Sequence, residues 1–254
     1  MISSDIHYYQ SIEFVNKNEN ELELNEAIKI FDKLLESKEC YLVFHFRGFA
    51  NMRIKNYEEA LNDFSKALKI NPLFYYSFFN KGVVRGILQD FERSIEDYTK
   101  AIELNTKYTN AYHNRGVNKF HLQNHQGAIL DYTKAIKLNA KYTNAYYNRG
   151  IAKEALEDYT EAIEDYTRVI ELSPIHINAY FNRGSAKESL KEYKGAIADF
   201  SKAISIDPND PSAYYGRGNT RGKSGDNKGA CEDFKKATEM GHLGAKEMLE
   251  KNCK

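Results

Sequence analysis

The chain has 254 residues, with 36 Lys+Arg against 36 Asp+Glu. A formal net charge of zero argues against a polyphosphate-binding surface, because neutralising phosphates needs a cationic excess. Hydrophobic residues at 42% and aromatics at 13% supply a core and exclude disorder, while 15 Gly and 4 Pro are too few for a many-stranded β protein.

In chain order, Asp5 to about Lys17 and Leu22 to Glu36 read as two helical stretches. Nothing in the first residues resembles a basic segment followed by an apolar one, so no secretory leader is expected. From Tyr41 a repeat takes over. A basic residue followed by Gly recurs at Arg47-Gly48, Lys81-Gly82, Arg115-Gly116, Arg149-Gly150, Arg183-Gly184 and Arg217-Gly218, always 34 residues apart. Numbering each copy 1 to 34 from Tyr41 puts these residues at positions 7 and 8. Position 4 is always Phe or Tyr (Phe44 to Tyr214) and position 24 always Phe or Tyr (Phe64 to Phe234). Position 20 is Ala or Ser (Ala60 to Ala230) and position 27 is Ala or Val (Ala67 to Ala237).

Each copy reads as two helices. In the first, positions 4 and 8 sit one turn apart on one face. A polar residue at position 16 starts the second, which carries small or apolar residues at 17, 20, 21, 24 and 27, a 3.6-residue stripe. Asn56 with Glu59, and Asp158 with Glu161, have the spacing of capping boxes. Proline at position 32 (Pro72, Pro174, Pro208) stops the helix. Ala27, Phe31 and Leu34 repeat the 20/24/27 pattern one residue out of phase, so residues 1–40 read as a degenerate hairpin capping the N-terminus. Residues 41–244 are six tandem copies, and residues 245–254 belong to a C-terminal capping helix that begins near Leu243. No run of about 18 apolar residues is present, so no membrane span is expected.

This pattern resembles the tetratricopeptide repeat family. The resemblance covers some four-fifths of the chain, Tyr41 to about Gly244, and departs from the family in having Tyr or Phe at position 4 and a cation at position 7. It implies an all-α fold, a right-handed α-solenoid of stacked helix-turn-helix hairpins, whose concave groove is lined by the first helix of each pair. It also implies a non-enzymatic adaptor binding a peptide segment of another protein.

Two columns bear on function. The position-7 cations face Asp63, Asp97, Asp131, Asp165, Asp199 and Asp233 at position 23, which reads as a structural ladder of ion pairs rather than a basic stripe for an acidic ligand. Position 6 carries Asn80, Asn114, Asn148 and Asn182, and position 2 carries Asn110, Asn144 and Asn178, four residues away on the same face. Position 5 adds His113, Tyr147 and Phe181. In the family this face looks into the groove. An Asn amide both donates and accepts, so a row of them suits a peptide backbone of any sequence and resembles the asparagine ladder found in grooves of the family. The alternative is that these amides bond within their own helix or to the next repeat. The family's two-carboxylate clamp for chaperone tails needs Lys at position 5 and Arg at position 6, both absent here.

Other motifs are set aside. Gly216 to Ser224 has the wrong glycine spacing for a phosphate loop and falls in an expected helix. His121 and His125 straddle a helix end without a Cys or carboxylate cluster, so no metal is expected. Cys40, Cys231 and Cys253 are odd in number and scattered, which reads as packed thiols in a reducing, cytoplasmic setting. No nucleophile, base and oxyanion donor converge, so neither enzyme activity nor a cofactor is expected. The expected partner is another protein, with no nucleic acid and no membrane; self-association into a scaffold is the alternative, and single-stranded RNA the least favoured.

Overall fold

The computed structural model describes residues 20–253. The expected helix from Asp5 to Lys17 lies outside them. The described residues form fourteen helices and no strand, so the fold is an all-α solenoid class built of consecutive hairpins. They are α1 (Glu21–Ser37), α2 (Tyr41–Arg53), α3 (Tyr57–Ile70), α4 (Tyr75–Ile87), α5 (Phe91–Leu104), α6 (Thr109–His121) and α7 (His125–Leu138). There follow α8 (Thr143–Glu154), α9 (Tyr159–Leu172), α10 (Ile177–Ser189), α11 (Tyr193–Ile206), α12 (Pro211–Lys223), α13 (Asn227–Glu239) and α14 (Leu243–Asn252). No helix among them is long and apolar enough to cross a membrane. The chain divides into two compact units, one ending at Asn124 and the other beginning at His125. In each unit every helix packs on the next in sequence.

The repeat columns explain the packing. Position 8 is glycine because the position-24 ring lies flat against it. A Cβ built on Gly150 would stand 2.7 Å from Tyr166, and one on Gly218 would stand 2.8 Å from Phe234. Ala60, Ala67, Ala162, Ala196 and Ala203 at positions 20 and 27 are fully buried, which lets neighbouring helices approach.

The turn between the paired helices places position 15 in the left-handed region, at Lys55, Gln89, Gln123, Glu157 and Lys191, with glycine only at Gly225. That turn also corrects the capping boxes. Asn56 and Asp158 do stand at the helix N-caps, but neither side chain makes a capping hydrogen bond. Their backbone N–H groups already donate to Asn51 O (2.8 Å) and Lys153 O (2.9 Å), so the N–H that a capping-box glutamate accepts is taken. Glu161 pairs instead with Lys153 Nζ at 3.2 Å.

In the first unit, α1 buries Leu24, Ala27 and Phe31 against α2. Its Asp32 accepts from Arg47 Nη1 at 2.6 Å, the place that a position-25 hydroxyl fills in later repeats. At the far end, α14 packs on α13 and turns Lys246, Glu247, Glu250 and Lys251 to solvent.

Candidate functional site

The position-23 carboxylates are buried, and the position-7 arginines reach them as two-pronged forks. In the second unit, Arg149 donates from Nε and Nη2 to Asp165 at 2.9 and 2.6 Å. Arg183 and Arg217 repeat this with Asp199 and Asp233, and in the first unit Arg47 does so with Asp63. The third prong crosses to the preceding repeat: Arg115, Arg149, Arg183 and Arg217 each donate from Nη1 to a position-25 hydroxyl, on Thr99, Thr133, Thr167 and Ser201, at 3.0 Å. A second cation, one turn on at position 11, closes on the same carboxylate. Arg85, Lys153, Lys187 and Arg221 lie 2.7 to 2.9 Å from Asp97, Asp165, Asp199 and Asp233. The column is therefore a structural clamp joining two helices and two repeats, and the acidic-ligand reading has no unpaired stripe to rest on. Both the position-11 cations and the position-25 hydroxyls escaped the sequence reading.

Lys81 is the one lysine at position 7, and it stands 3.9 Å from Asp97. Burial pushes the Asp97 carboxyl up to about 6, and Lys81 and Arg85 only partly offset it. A carboxyl whose folded pKa is raised binds more protons folded than unfolded between about pH 4 and 6. Its contribution to stability therefore falls as pH rises through that window. Lys81→Arg restores the fork. It is expected to add about 1 kcal/mol at neutral pH, a Tm gain of about 2–4 °C, and to flatten the pH 4–6 slope in denaturant titrations.

The groove-face residues divide by depth. Asn110, Asn144 and Asn178 at position 2 are exposed. Asn114, Asn148 and Asn182 at position 6 are half-buried, and Asn80 is buried. In the first unit Asn114 Nδ2 donates to Tyr98 Oη at 3.4 Å and its Oδ1 lies 3.1 Å from His113 Nδ1. Burial lowers the His113 pKa, so the ring is neutral near pH 7. Asn114, Val83, Ile87, Phe91, Tyr98 and His121 are among the residues lining a cavity of about 220 Å³. His121 stacks on Phe91 at 4.8 Å. An aromatic row runs beside it: Phe74 meets Tyr41 and Tyr76, Tyr75 meets Tyr108, and Phe79 meets Tyr108 at 4.7 Å. Of Phe74, Tyr75 and Tyr76, only Tyr76 is exposed, at 43%.

In the second unit Asn182 Nδ2 donates to Tyr147 Oη at 3.2 Å, and Tyr147 packs on His176 and Tyr166. Phe181 meets Phe200 edge-on at 5.4 Å. Two carboxylates that the columns do not reveal sit here at position 12. Glu154 accepts from Tyr166 Oη at 2.7 Å, and burial raises its pKa. Glu188 accepts from Thr220 Oγ1 and from Lys223 Nζ. Asn114 and Asn182 thus spend a donor on tyrosine, whereas the position-2 amides face solvent with donor and acceptor presented together.

The cysteine reading needs correction. Cys231 and Cys253 form a disulfide, with Cα atoms 5.6 Å apart and a sequence separation of 22. The packing of α14 on α13 brings them together, which no short motif reveals. Cys40 is the free thiol. Cysteine usage therefore no longer points to a reducing compartment. The segment Gly216 to Ser224 lies mostly in α12, as its repeat register requires.

Comparison with known proteins places this architecture. Tetratricopeptide repeat models match residues 41–74, 75–108, 109–142, 143–176 and 211–240, and a TPR repeat model matches 188–225. No curated protein sequence matches significantly. Among solved structures, the C-terminal part of a TPR repeat-containing protein from Cytophaga hutchinsonii is 20% identical, with a TM-score of 0.79 over 95% of this chain and 99% of that one. A MamA protein is 26% identical with a TM-score of 0.64, over 66% of this chain and 92% of that one. YrrB, described as a TPR protein with an unusual peptide-binding site, is 23% identical with a TM-score of 0.67, over 74% of this chain and 97% of that one. The family matches span well over half of the sequence and share the 34-residue register of its columns: the chain belongs to the tetratricopeptide repeat family.

Proposed function

We propose that this protein-interaction adaptor holds an extended segment of a partner protein along the exposed asparagines of its first helices, without catalysis. The observation that carries the reading is the pairing of exposed Asn144 and Asn178 with half-buried Tyr147, Asn148, Phe181 and Asn182 on α8 and α10. The exposed amides offer main-chain hydrogen bonds that do not depend on the partner's side chains, and the rings beneath offer apolar contact. Asn110, His113 and Asn114 supply the same combination on α6, with Asn80 on α4. YrrB, whose description includes a peptide-binding site, supports the analogy at the level of fold.

The test compares wild type with an Asn144→Ala, Asn178→Ala double variant in pull-downs from native cells, read by mass spectrometry. These side chains are exposed, so the fold is expected to be unchanged. Each lost amide is expected to cost about 1 kcal/mol, together about 30-fold in affinity. Partners retained equally by both proteins would move binding away from this face.

A further inference from the structure

The C-terminal disulfide occupies a position that the repeat reserves for an aliphatic side chain. Position 21 is Leu61, Ile95, Ile129, Ile163 and Ile197 in the first five copies and Cys231 in the sixth. Its partner, Cys253, caps the C-terminal end of α14. That helix is held weakly otherwise. Ala245 is its sole buried residue, with Met248 and Leu249 partly buried against Ala230, Phe234 and Ala237. By contrast, α10 buries Ala179, Tyr180, Gly184 and Ala186. A ten-residue helix with so little burial is marginal on its own, so the covalent link decides whether it stays docked.

The link is also reachable. Cys231 lines a cavity of about 470 Å³ together with Asn219, Lys223, Asn227, Met248 and Asn252. The lining contains no carboxylate, and its one cation, Lys223, pairs with Glu188 outside it.

We propose that Cys231–Cys253 is a thiol–disulfide exchange site that latches α14, and that a low-molecular-weight thiol entering this cavity opens it. The incoming thiolate attacks Cys231 Sγ, the sulfur–sulfur bond breaks, and Cys253 leaves as a thiolate that takes a proton from water. A second thiol attacks the mixed disulfide. It frees the Cys231 thiol and carries away the small molecule's own disulfide, so two electrons pass from two thiols to the protein. Release of α14 uncovers the apolar face of Ala230, Phe234 and Ala237.

The test uses the full chain and glutathione. Alkylation and intact mass should count one free thiol before reduction, Cys40, and three after it. Hydrogen exchange over residues 243–252 should accelerate about 300-fold on reduction, the entropy of a loop this size, while residues 193–206 stay unchanged. Cys253→Ser should reproduce the reduced pattern; if that variant folds poorly, the reduced wild type gives the same reading. Three alkylated thiols after equilibration with oxidised glutathione would overturn the proposal. Unchanged exchange in 243–252 on reduction would overturn it equally.

Discussion

Asp165→Ala is expected to destabilise the second unit by about 3–5 kcal/mol, the cost of stranding buried charge. The carboxylate is buried between the Arg149 fork and Lys153 Nζ at 2.9 Å, and Lys153 is itself buried. Removing it leaves the Arg149 fork without its carboxylate and Lys153 with only the exposed Glu161 as an anion. The third prong of Arg149, on Thr133, loses its anchor as well, so the join to the preceding repeat weakens. Thermal denaturation should show Tm falling by roughly 10 °C. The combined Arg149→Met, Lys153→Met, Asp165→Leu variant should recover most of the loss, because apolar groups of similar volume replace the clamp without stranding charge. A single variant that matches wild type would show the clamp to be energetically idle.

Tyr166→Ala is the second large effect, about 3–5 kcal/mol for loss of a buried aromatic side chain. Its ring is fully buried and covers the bare backbone at Gly150. Its hydroxyl donates to Glu154 at 2.7 Å. The next repeat separates the two contributions, because Phe200 fills the same position without a hydroxyl. Tyr166→Phe should therefore keep most of the stability, losing about 1 kcal/mol for the hydrogen bond to a half-buried carboxylate. Urea denaturation of the two variants distinguishes ring from hydroxyl. Equal losses would place the energy in the hydroxyl and contradict the packing account.

What the sequence shows and what it hides follow from repetition. Glycine at position 8, the ring at 24 and alanine at 20 and 27 recur because every hairpin solves the same packing problem, so the columns expose them directly. The Arg–Asp ladder is visible for the same reason. The position-11 cations are hidden because Asn51 breaks the column, although Arg85, Lys153 and Arg221 stand one helical turn from the position-7 cations. Glu154 and Glu188 occur in two copies only, where column reading has no power. The capping boxes mislead because spacing alone does not show that the Asn56 and Asp158 N–H groups are already committed to the turn. The disulfide pairs two separate helices, so only packing brings its halves together.

The central claim is that the asparagine face contacts a partner chain. A photo-reactive amino acid placed at Asn178 tests it most directly, with an identical probe at exposed Lys202 on α11 as the reference. The expected result is a covalent adduct to a single extended segment of the partner from position 178, lost when Asn144 is changed to Ala, and none from position 202. Adducts from position 202 with none from position 178 would contradict it.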